Sequence, residues 1–154
     1  MERVARIYID TSVLGGFFDD EFAIASRLFF QNAREGRFRL VVSGLVGDEI
    51  SAAPEEVQGL FQEIQSLLDV VEVDEEALRL LQGYIEAGVV SAKWRDDALH
   101  VATATVAGCS MIVSWNFRHI VHYQKIPKYN AVNMLRGYPP IAIYSPLEVI
   151  ADED

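Results

Sequence analysis

The 154-residue sequence predicts one α/β domain over residues 1–154, a three-layer α/β/α sandwich with a mostly parallel sheet of about five strands. Short β-prone runs alternate with longer helical stretches, and parallel strands need connections of that length. Hydrophobic residues make up 51% of the chain and charged residues 23%, which excludes a disordered or fibrous protein. No repeat, low-complexity tract or linker supports a second domain.

Five β-prone runs predict the strands, because Val, Ile, Leu and Tyr pack well on a pleated surface. They cover residues 6–9, 38–43, 70–73, 111–114 and 141–144. Asp10, Thr11 and Ser12 predict a turn after the first run, and Ser114 and Asn116 follow the fourth. In parallel sheets the active site usually lies beyond the carboxyl ends of the strands, near the switch in strand order, so these polar residues are candidates for it.

Six stretches with apolar residues three and four positions apart predict helices. They cover residues 22–34, 44–52, 54–68, 74–87, 94–107 and 128–136. Pro54 suits a first helical position, Asp74 suits an N-cap, and Gly88 and Gly108 suit the ends of two helices. The stretch 94–107 is almost entirely small or apolar after its first acids, so we expect it to be buried.

The net charge of −10 argues against a protein that holds nucleic acid by bulk charge. The charge is unevenly distributed, because residues 40–92 carry eleven acidic and one basic side chain while residues 93–136 carry two acidic and six basic ones. All three histidines lie in the second segment. We therefore expect a local cationic surface. The net charge of the whole chain excludes tight non-specific binding of nucleic acid but not catalysis on it.

The single cysteine and the short apolar runs predict a cytoplasmic protein without a membrane contact. Cys109 lies in an apolar stretch and can form neither an internal disulfide nor a site of several thiolates, so we expect a buried thiol. The apolar runs fall far short of the roughly 20 residues that span a bilayer, and the N-terminus lacks the apolar core of a signal peptide.

Carboxylates at strand ends and helix starts are the candidate site residues. Asp10 follows the first strand, Glu49 lies in the helix after the second, and Asp96 and Asp97 open the helix over 94–107. Neighbouring helix residues point about 100° apart, so at most one of the two faces the site. Taken singly, each acid is also explained as a helix cap or a solvated side chain. His100, within reach of Asp96 or Asp97, is expected to be a hydrogen-bonded core residue rather than a ligand.

Several carboxylates without a cysteine or a clear histidine partner favour Mg²⁺ or Mn²⁺ over zinc. Such an ion can orient a water, lower the pKa of that water and stabilise the phosphate of a phosphodiester during hydrolysis. The chain has no phosphate-binding loop, dinucleotide fingerprint, HExxH or GxSxG motif, which removes the enzyme classes that depend on them.

Four segments together resemble the PIN-domain family, in particular the VapC-type toxin subunits of VapBC bacterial toxin–antitoxin pairs. They are YIDTSVLGG, VSGLVGDEI, DDALHVATA and VSWNFRHI, at residues 8–16, 42–50, 96–104 and 113–120. The C-terminal segment 128–149 is similar to a subgroup that shares the SWNF variant. The resemblance implies a compact α/β/α sandwich whose acidic pocket binds Mg²⁺ or Mn²⁺ for endoribonuclease cleavage.

By position, the resemblance implies that Asp10, Glu49 and Asp97 are the catalytic metal ligands, directly or through water. Active members often have an aspartate where this chain has Asn116, whose amide oxygen can still position a water but removes one negative charge. Ser114 is expected to orient that water. The loss of one negative charge at Asn116 is expected to weaken metal binding and thereby catalysis, rather than to change the fold.

The resemblance also implies partners, namely an RNA substrate, a cognate antitoxin whose C-terminal segment blocks the pocket, and a second copy of the chain in a homodimer. The basic residues that flank the site are expected to contact RNA phosphates, and these are Arg95, Arg118, Lys125 and Lys128. The apolar residues of segment 54–87 are either a dimer face or part of the core.

The sequence leaves three functions open. The first is a metal-dependent, single-strand-specific endoribonuclease that acts as the toxin of a type II toxin–antitoxin pair. The second is a catalytically weakened PIN-like module that acts by binding RNA or protein, which Asn116 motivates. The third is a nuclease for DNA or flap structures, since related folds use similar pockets on DNA.

Overall fold

A computed structural model describes residues 4–150 of the chain, so the ends of the predicted domain, 1–3 and 151–154, lie outside the described residues. Its centre is a five-stranded sheet in the order β3-β2-β1-β4-β5. The strands are β1 (Arg6–Ile9), β2 (Arg39–Ser43), β3 (Leu68–Val71), β4 (Met111–Val113) and β5 (Ala142–Tyr144). All four pairings are parallel, which confirms the predicted α/β class and sheet.

Helices cover both faces of the sheet. In chain order they are α1 (Thr11–Gly16), α2 (Ala23–Arg34), α3 (Gly44–Ser51), α4 (Glu55–Glu63), α5 (Glu75–Glu86), α6 (Arg95–Val106), α7 (Ile126–Leu135) and α8 (Pro146–Val149). Helices α5, α6 and α7 pack on one another, and α1 to α4 with α8 form the second group, which gives the three-layer arrangement. Short 3₁₀ turns at Gln65–Leu67 and Ala92–Trp94 precede β3 and α6.

The core lies between the sheet and these two helical groups. The central strands are almost fully buried, as expected for parallel strands covered on both faces. Helix α6 is buried from Ala98 to Thr105, as its apolar composition predicts. Most apolar residues of segment 54–87 pack into this same core, including Val57, Leu60, Leu80 and Leu81, whereas Val70 and Leu78 are exposed. Cys109 is buried, which confirms the prediction of an enclosed thiol.

Three local predictions are wrong. Asp10 is the N-cap of helix α1, which begins at Thr11 where a turn was predicted, and β3 starts at Leu68 because Leu68 pairs with Leu40 of β2. The helix predicted over 54–68 therefore ends at Glu63, since the residues that follow it are drawn into the sheet. Helix α8 was not expected, and a capping box between Ser145 and Glu148 marks its start.

The strand order places the candidate site at a topological switch point. The chain builds β1, β2 and β3 in one direction and then returns to lay β4 on the other side of β1. Ile9 pairs with Val113, so the residues that follow, Asp10 and Ser114, lie side by side at the carboxyl edge. Open parallel sheets bind their ligands at such a crevice. None of the helices within residues 4–150 is long and apolar enough to cross a bilayer.

Candidate functional site

Asp10 occupies the centre of the switch point and is only 4% exposed. Ser12 Oγ donates to Asp10 Oδ1 at 2.6 Å, and Ser114 Oγ donates to Asp10 Oδ2 at 2.7 Å. Burial raises the pKa of the Asp10 carboxyl, against the lowering influence of His100 and of the two serine hydroxyls, and the charge of Glu49 raises it further. In the part of the chain that is described, neither Lys nor Arg forms an ion pair with it.

The two serines connect the ends of β1 and β4. Ser12 Oγ accepts the backbone N–H of Trp115 at 2.9 Å, and Ser114 Oγ accepts that of Asn116, also at 2.9 Å. Each hydroxyl thus receives a hydrogen bond from the segment after β4 and donates one to Asp10. This arrangement fixes the carboxylate and gives Ser114, the residue expected to orient a water, a direct partner in Asp10.

Glu49 lies half-buried on α3 and is held by two donors at a single oxygen. Thr11 Oγ1 donates to Glu49 Oε1 at 2.9 Å, and His100 Nε2 lies 2.7 Å from the same atom. Burial raises the pKa of Glu49, but the hydrogen bond and charge of His100 together with the Thr11 hydroxyl outweigh it and lower the pKa overall. Glu49 Oε2 accepts no hydrogen bond from residues 4–150 and remains free for a ligand.

A buried chain of hydrogen bonds supports the Glu49 contact from inside the sheet. The Tyr8 hydroxyl lies 2.8 Å from His100 Nδ1 and 2.7 Å from Ser43 Oγ. Because Glu49 is ionised and can only accept, His100 must carry its proton on Nε2, and in the neutral ring Nδ1 then accepts the Tyr8 O–H. His100 is 2% exposed, which confirms the core role, but it pairs with Glu49 and not with Asp96 or Asp97.

Asp97 lies in the first turn of α6, one turn before His100. It is half-buried, whereas its neighbour Asp96 is exposed, which separates the two acids as the helical geometry requires. The Asp97 carboxylate accepts no hydrogen bond from the described residues. Its charge raises the pKa of His119, whereas burial, Arg118 and Lys125 lower it, and the net pKa of His119 is lowered. The Asp97 carboxylate on α6 is therefore close enough to the segment after β4 for its charge to act on His119.

Asn116 holds the turn after β4. Its Oδ1 accepts the backbone N–H groups of Arg118 at 3.2 Å and of His119 at 2.9 Å. Both acceptor positions of that amide oxygen are thus used by the backbone in this arrangement. The oxygen that the sequence offered as a metal or water ligand serves here as a cap, so the clearest structural role of Asn116 is to fix residues 117–119.

The donor set suits a hard cation, although the carboxylates are not gathered into one tight cluster. Within residues 4–150, no group of three or more His, Cys, Asp or Glu side chains could hold a metal ion together. Within the described residues, Asp10 nonetheless presents a buried carboxylate without a Lys or Arg partner, and Glu49 and Asp97 each keep a carboxylate oxygen that receives no hydrogen bond. Oxygen donors of this kind fit Mg²⁺ or Mn²⁺.

The four predicted RNA-binding cations differ in their surroundings. Arg95 and Lys128 are exposed and form no ion pair within the described chain, and the Arg118 guanidinium lies 5.2 Å from the centre of the Trp94 ring. Lys125 Nζ donates to the Val89 carbonyl at 2.6 Å and is half-buried, so this residue anchors the loop after α5. Of the four, Arg118 lies in the turn that adjoins Asp10.

Sequence reasoning missed the support of the acids by Tyr8, Ser43 and His100. The expectation of carboxylates without a histidine partner is wrong, because His100 bonds directly to Glu49. A polar side chain in the apolar stretch ALHVATATVA was the available signal, since a buried polar group needs a partner. The sequence did not identify that partner, because Glu49 and Tyr8 are 51 and 92 residues away along the chain.

No protein-family model and no curated protein sequence matches the chain. Solved structures do match it. A chain in the crystal structure of VapBC2 from Rickettsia felis bound to a DNA fragment from their promoter gives a TM-score of 0.55 at 13% identity, over 91% of this chain and 98% of that one. A chain in the crystal structure of FitAcB from Neisseria gonorrhoeae gives 0.60 at 12% identity, over 93% and 99%.

These similarities extend over nearly the whole length of each chain, and they show a shared fold. The expected three-layer sandwich with a parallel sheet is therefore confirmed at the level of architecture. At 12–13% identity, these structures do not show which of their side chains correspond to those of the candidate site. Membership of the SWNF subgroup therefore stays a prediction.

Proposed function

We propose that this chain is a metal-dependent endoribonuclease and the toxin component of a type II toxin–antitoxin pair. The observation that supports this proposal best is the buried Asp10 carboxylate at the switch point, with both oxygens fixed by serines and Glu49 close enough to raise its pKa. A buried carboxylate that has a raised pKa and no Lys or Arg partner in the described chain is typical of a functional site. The fold shared with chains of VapBC2 and FitAcB agrees with this assignment.

In this proposal Asp10, Glu49 and Asp97 would hold Mg²⁺ or Mn²⁺, directly or through water. Water would have to complete the ligand set, because no three His, Cys, Asp or Glu side chains within residues 4–150 form one tight group. A bound divalent ion supplies an activated water and stabilises the charge that develops on a phosphodiester. The chain's own residues orient these ligands, because Ser12 and Ser114 fix Asp10, and His100 with Thr11 fixes Glu49. Outer contacts of this type set the geometry of a metal site.

Cleavage of single-stranded RNA by paired variants tests the catalytic assignment. We expect Asp97→Asn to abolish cleavage and Asp96→Asn to keep it, since Asp96 is an exposed neighbour on the same helix. Glu49→Gln and the exposed Asp48→Asn form a second matched pair on α3. Circular dichroism and urea unfolding establish that each variant is folded. Matched DNA oligonucleotides, assayed in parallel, separate a ribonuclease from a deoxyribonuclease.

Full activity of folded Asp10→Asn or Asp97→Asn, or cleavage that persists in excess EDTA, would overturn this function. Equal loss in Asp96→Asn and Asp97→Asn would also contradict it, because a bulk charge effect would then explain both. Cleavage of the DNA oligonucleotide alone would move the assignment to a deoxyribonuclease.

A second candidate is a PIN-like module that binds RNA or protein without cutting. Two observations favour it, namely the use of the Asn116 oxygen as a backbone cap and the absence of a three-residue ligand group within residues 4–150. Calorimetric titration with Mn²⁺ separates the candidates. Binding that is lost in Asp10→Asn supports the nuclease, and a wild type that binds no Mn²⁺ supports the module.

We further propose a cognate antitoxin and a homodimer as the partners of this chain in the cytoplasm. Co-expression with a small open reading frame from the same operon tests the first, and the expected result is a stable complex whose RNA cleavage is suppressed. Light scattering tests the second, and the expected species has about twice the 17.3 kDa mass of one chain. A purified chain that stays at 17.3 kDa at all concentrations contradicts the dimer.

A further inference from the structure

Three aromatic rings form a step beside the candidate site, at the start of the segment after β4. Phe22 stacks on Trp115 with ring centres 4.2 Å apart and an angle of 19° between the planes. Phe117 meets Trp115 edge-on at 6.0 Å and lies 6.4 Å from Phe22. Phe117 is 46% exposed, whereas Trp115 is 6% exposed. We call these three residues the aromatic step, whose outer member is open to solvent.

The backing of the aromatic step is rigid. The Trp115 indole Nε1–H donates to Ser26 Oγ at 2.8 Å, and the Trp115 backbone N–H donates to Ser12 Oγ at 2.9 Å. A Cβ added to Gly16 would lie 2.6 Å from Trp115 Nε1, so α1 packs closely against this ring. Asn116 caps the turn that carries Phe117. An exposed phenylalanine held this firmly loses little conformational entropy when a flat partner packs on it.

The aromatic step also adjoins the acidic centre. Ser12 is the connection, because its Oγ accepts the Trp115 N–H and donates to Asp10 Oδ1 at 2.6 Å. A ligand that contacts Phe117 is therefore next to the strand ends that carry Asp10.

Cationic side chains lie next to Phe117 in the sequence and around the neighbouring Trp94 ring. Arg118 follows Phe117 directly, and its guanidinium lies 5.2 Å from the centre of the Trp94 ring. Lys93 Nζ lies 5.0 Å from that centre, and Trp94 stacks on His119 at 4.3 Å. The exposed Phe117 and the half-buried Trp94 thus each lie beside a cationic side chain, in the one segment of this acidic chain that has a positive net charge. That combination suits a polyanion with accessible planar faces, which describes a single-stranded nucleic acid.

We propose that Phe117, supported by the aromatic step, is a stacking platform for an unpaired nucleobase of the substrate, next to the phosphate that the acidic centre would receive. The inference rests on the proposed function and specifies how that site selects single strands. Base faces are exposed in single strands and covered in a duplex, so a platform of this kind discriminates by strandedness without a highly basic surface.

Binding of a single-stranded RNA that contains 2-aminopurine tests the proposal, with EDTA present to prevent cleavage. Phe117→Ala should weaken binding by roughly 5- to 150-fold, the range expected for loss of one stacked base. The fluorescence quenching of 2-aminopurine should be lost as well. Phe117→Tyr should retain both properties because it keeps the ring. Phe117→Leu, which keeps apolar bulk and protects the fold, should lose them. Leu135→Ala removes a side chain that is 87% exposed elsewhere and should change nothing.

Varying the salt concentration separates the contribution of base stacking from that of charge. The weakening by Phe117→Ala should be the same at low and high salt, because no charge is removed, whereas the effect of Arg118→Gln should shrink as salt rises. A duplex formed from the same RNA and its complement should bind wild type and Phe117→Ala equally.

The outcomes distinguish this site from the function on which it rests. Single-strand binding by Phe117→Ala or Phe117→Leu that equals that of wild type would overturn the platform and leave the nuclease standing. If a protein partner buries Phe117 while RNA binding does not depend on it, the surface belongs to that partner and the proposal fails. A wild type that neither binds nor cleaves RNA would overturn both.

Discussion

Replacing Tyr8 with phenylalanine removes a single hydroxyl from the centre of the molecule and tests the hydrogen-bond chain behind Glu49. The Tyr8 hydroxyl joins Ser43 Oγ at 2.7 Å to His100 Nδ1 at 2.8 Å, and all three residues are at most 2% exposed. Neither Ser43 Oγ nor His100 Nδ1 has another hydrogen-bond partner within residues 4–150. Tyr8→Phe therefore leaves two buried polar atoms unsatisfied while the ring itself still fits.

The cost follows from these two contacts. A buried hydrogen bond contributes about 0.5–1.5 kcal/mol net, and a buried polar group left without a partner costs about 1–3 kcal/mol. Because Ser43 can rotate its hydroxyl while the His100 ring is held at Glu49, we expect Tyr8→Phe to lower the free energy of unfolding by about 2–4 kcal/mol. For a chain of this size that corresponds to a fall in melting temperature of roughly 4–16 °C.

Urea unfolding followed by the fluorescence of the two tryptophans measures this change. The midpoint should fall while the slope of free energy against urea concentration stays constant. Tyr123→Phe is the matched control, because Tyr123 is 79% exposed and its hydroxyl makes no hydrogen bond within the described chain. If Tyr8→Phe is as stable as Tyr123→Phe, the hydrogen-bond chain contributes nothing and the account of how Glu49 is positioned is wrong.

Three further perturbations follow from the contacts described above. Gly16→Ala should destabilise the protein by about 1–3 kcal/mol because its Cβ would lie 2.6 Å from Trp115 Nε1, whereas Gly15→Ala, with nothing within 4 Å, should stabilise it by about 0.5–1 kcal/mol; equal urea midpoints would contradict this. Asp10→Asn should be more stable than wild type in metal-free buffer at neutral pH, because the folded pKa of Asp10 is raised and its ionisation costs stability above that pKa. The difference should vanish once the pH falls below the ordinary aspartate value of 3.8, and a wild type that stays the more stable at neutral pH would refute the sign. Burial raises the pKa of the Cys109 thiol to about 11, so a thiol reagent at neutral pH should react slowly with the native chain and quickly in urea; fast native labelling would show an open site.

Much of the fold could be predicted from local patterns, and the errors lie where tertiary contacts decide. The predicted bounds of β1 hold, because an alternation of strand and turn residues is a local property. β3 begins and ends two residues earlier than predicted. Residues 64–71 are apolar enough for either a helix or a strand, and only pairing with β2 selects the strand. Helix α1 contains Gly15 and Gly16, which disfavour helices, and its packing on Trp115 explains why it forms.

The site divides in the same way. Asp10 was predicted to lie at a strand end, and the structure places it there. The roles of the other acids depend on what surrounds them: Glu49 acquires a histidine partner, and Asp97 turns inward while Asp96 faces solvent. Asn116 was predicted as an auxiliary residue that positions a water, and in the structure its oxygen caps a turn. The motif specifies the backbone position of a side chain, whereas the packing around that side chain specifies what its polar atoms contact.

By itself, the sequence determined the α/β class, the parallel sheet and the location of the polar residues after β1 and β4, because strand length, helical spacing and turn residues are encoded within short windows. Only the tertiary structure decided that Tyr8 and Ser43 support His100, that His100 holds Glu49, and that Phe117 stands exposed on a fixed aromatic base. The physical reason is distance along the chain. Hydrogen bonds between residues 35 to 104 positions apart form only after the strands have paired in register, and no local pattern specifies those partners.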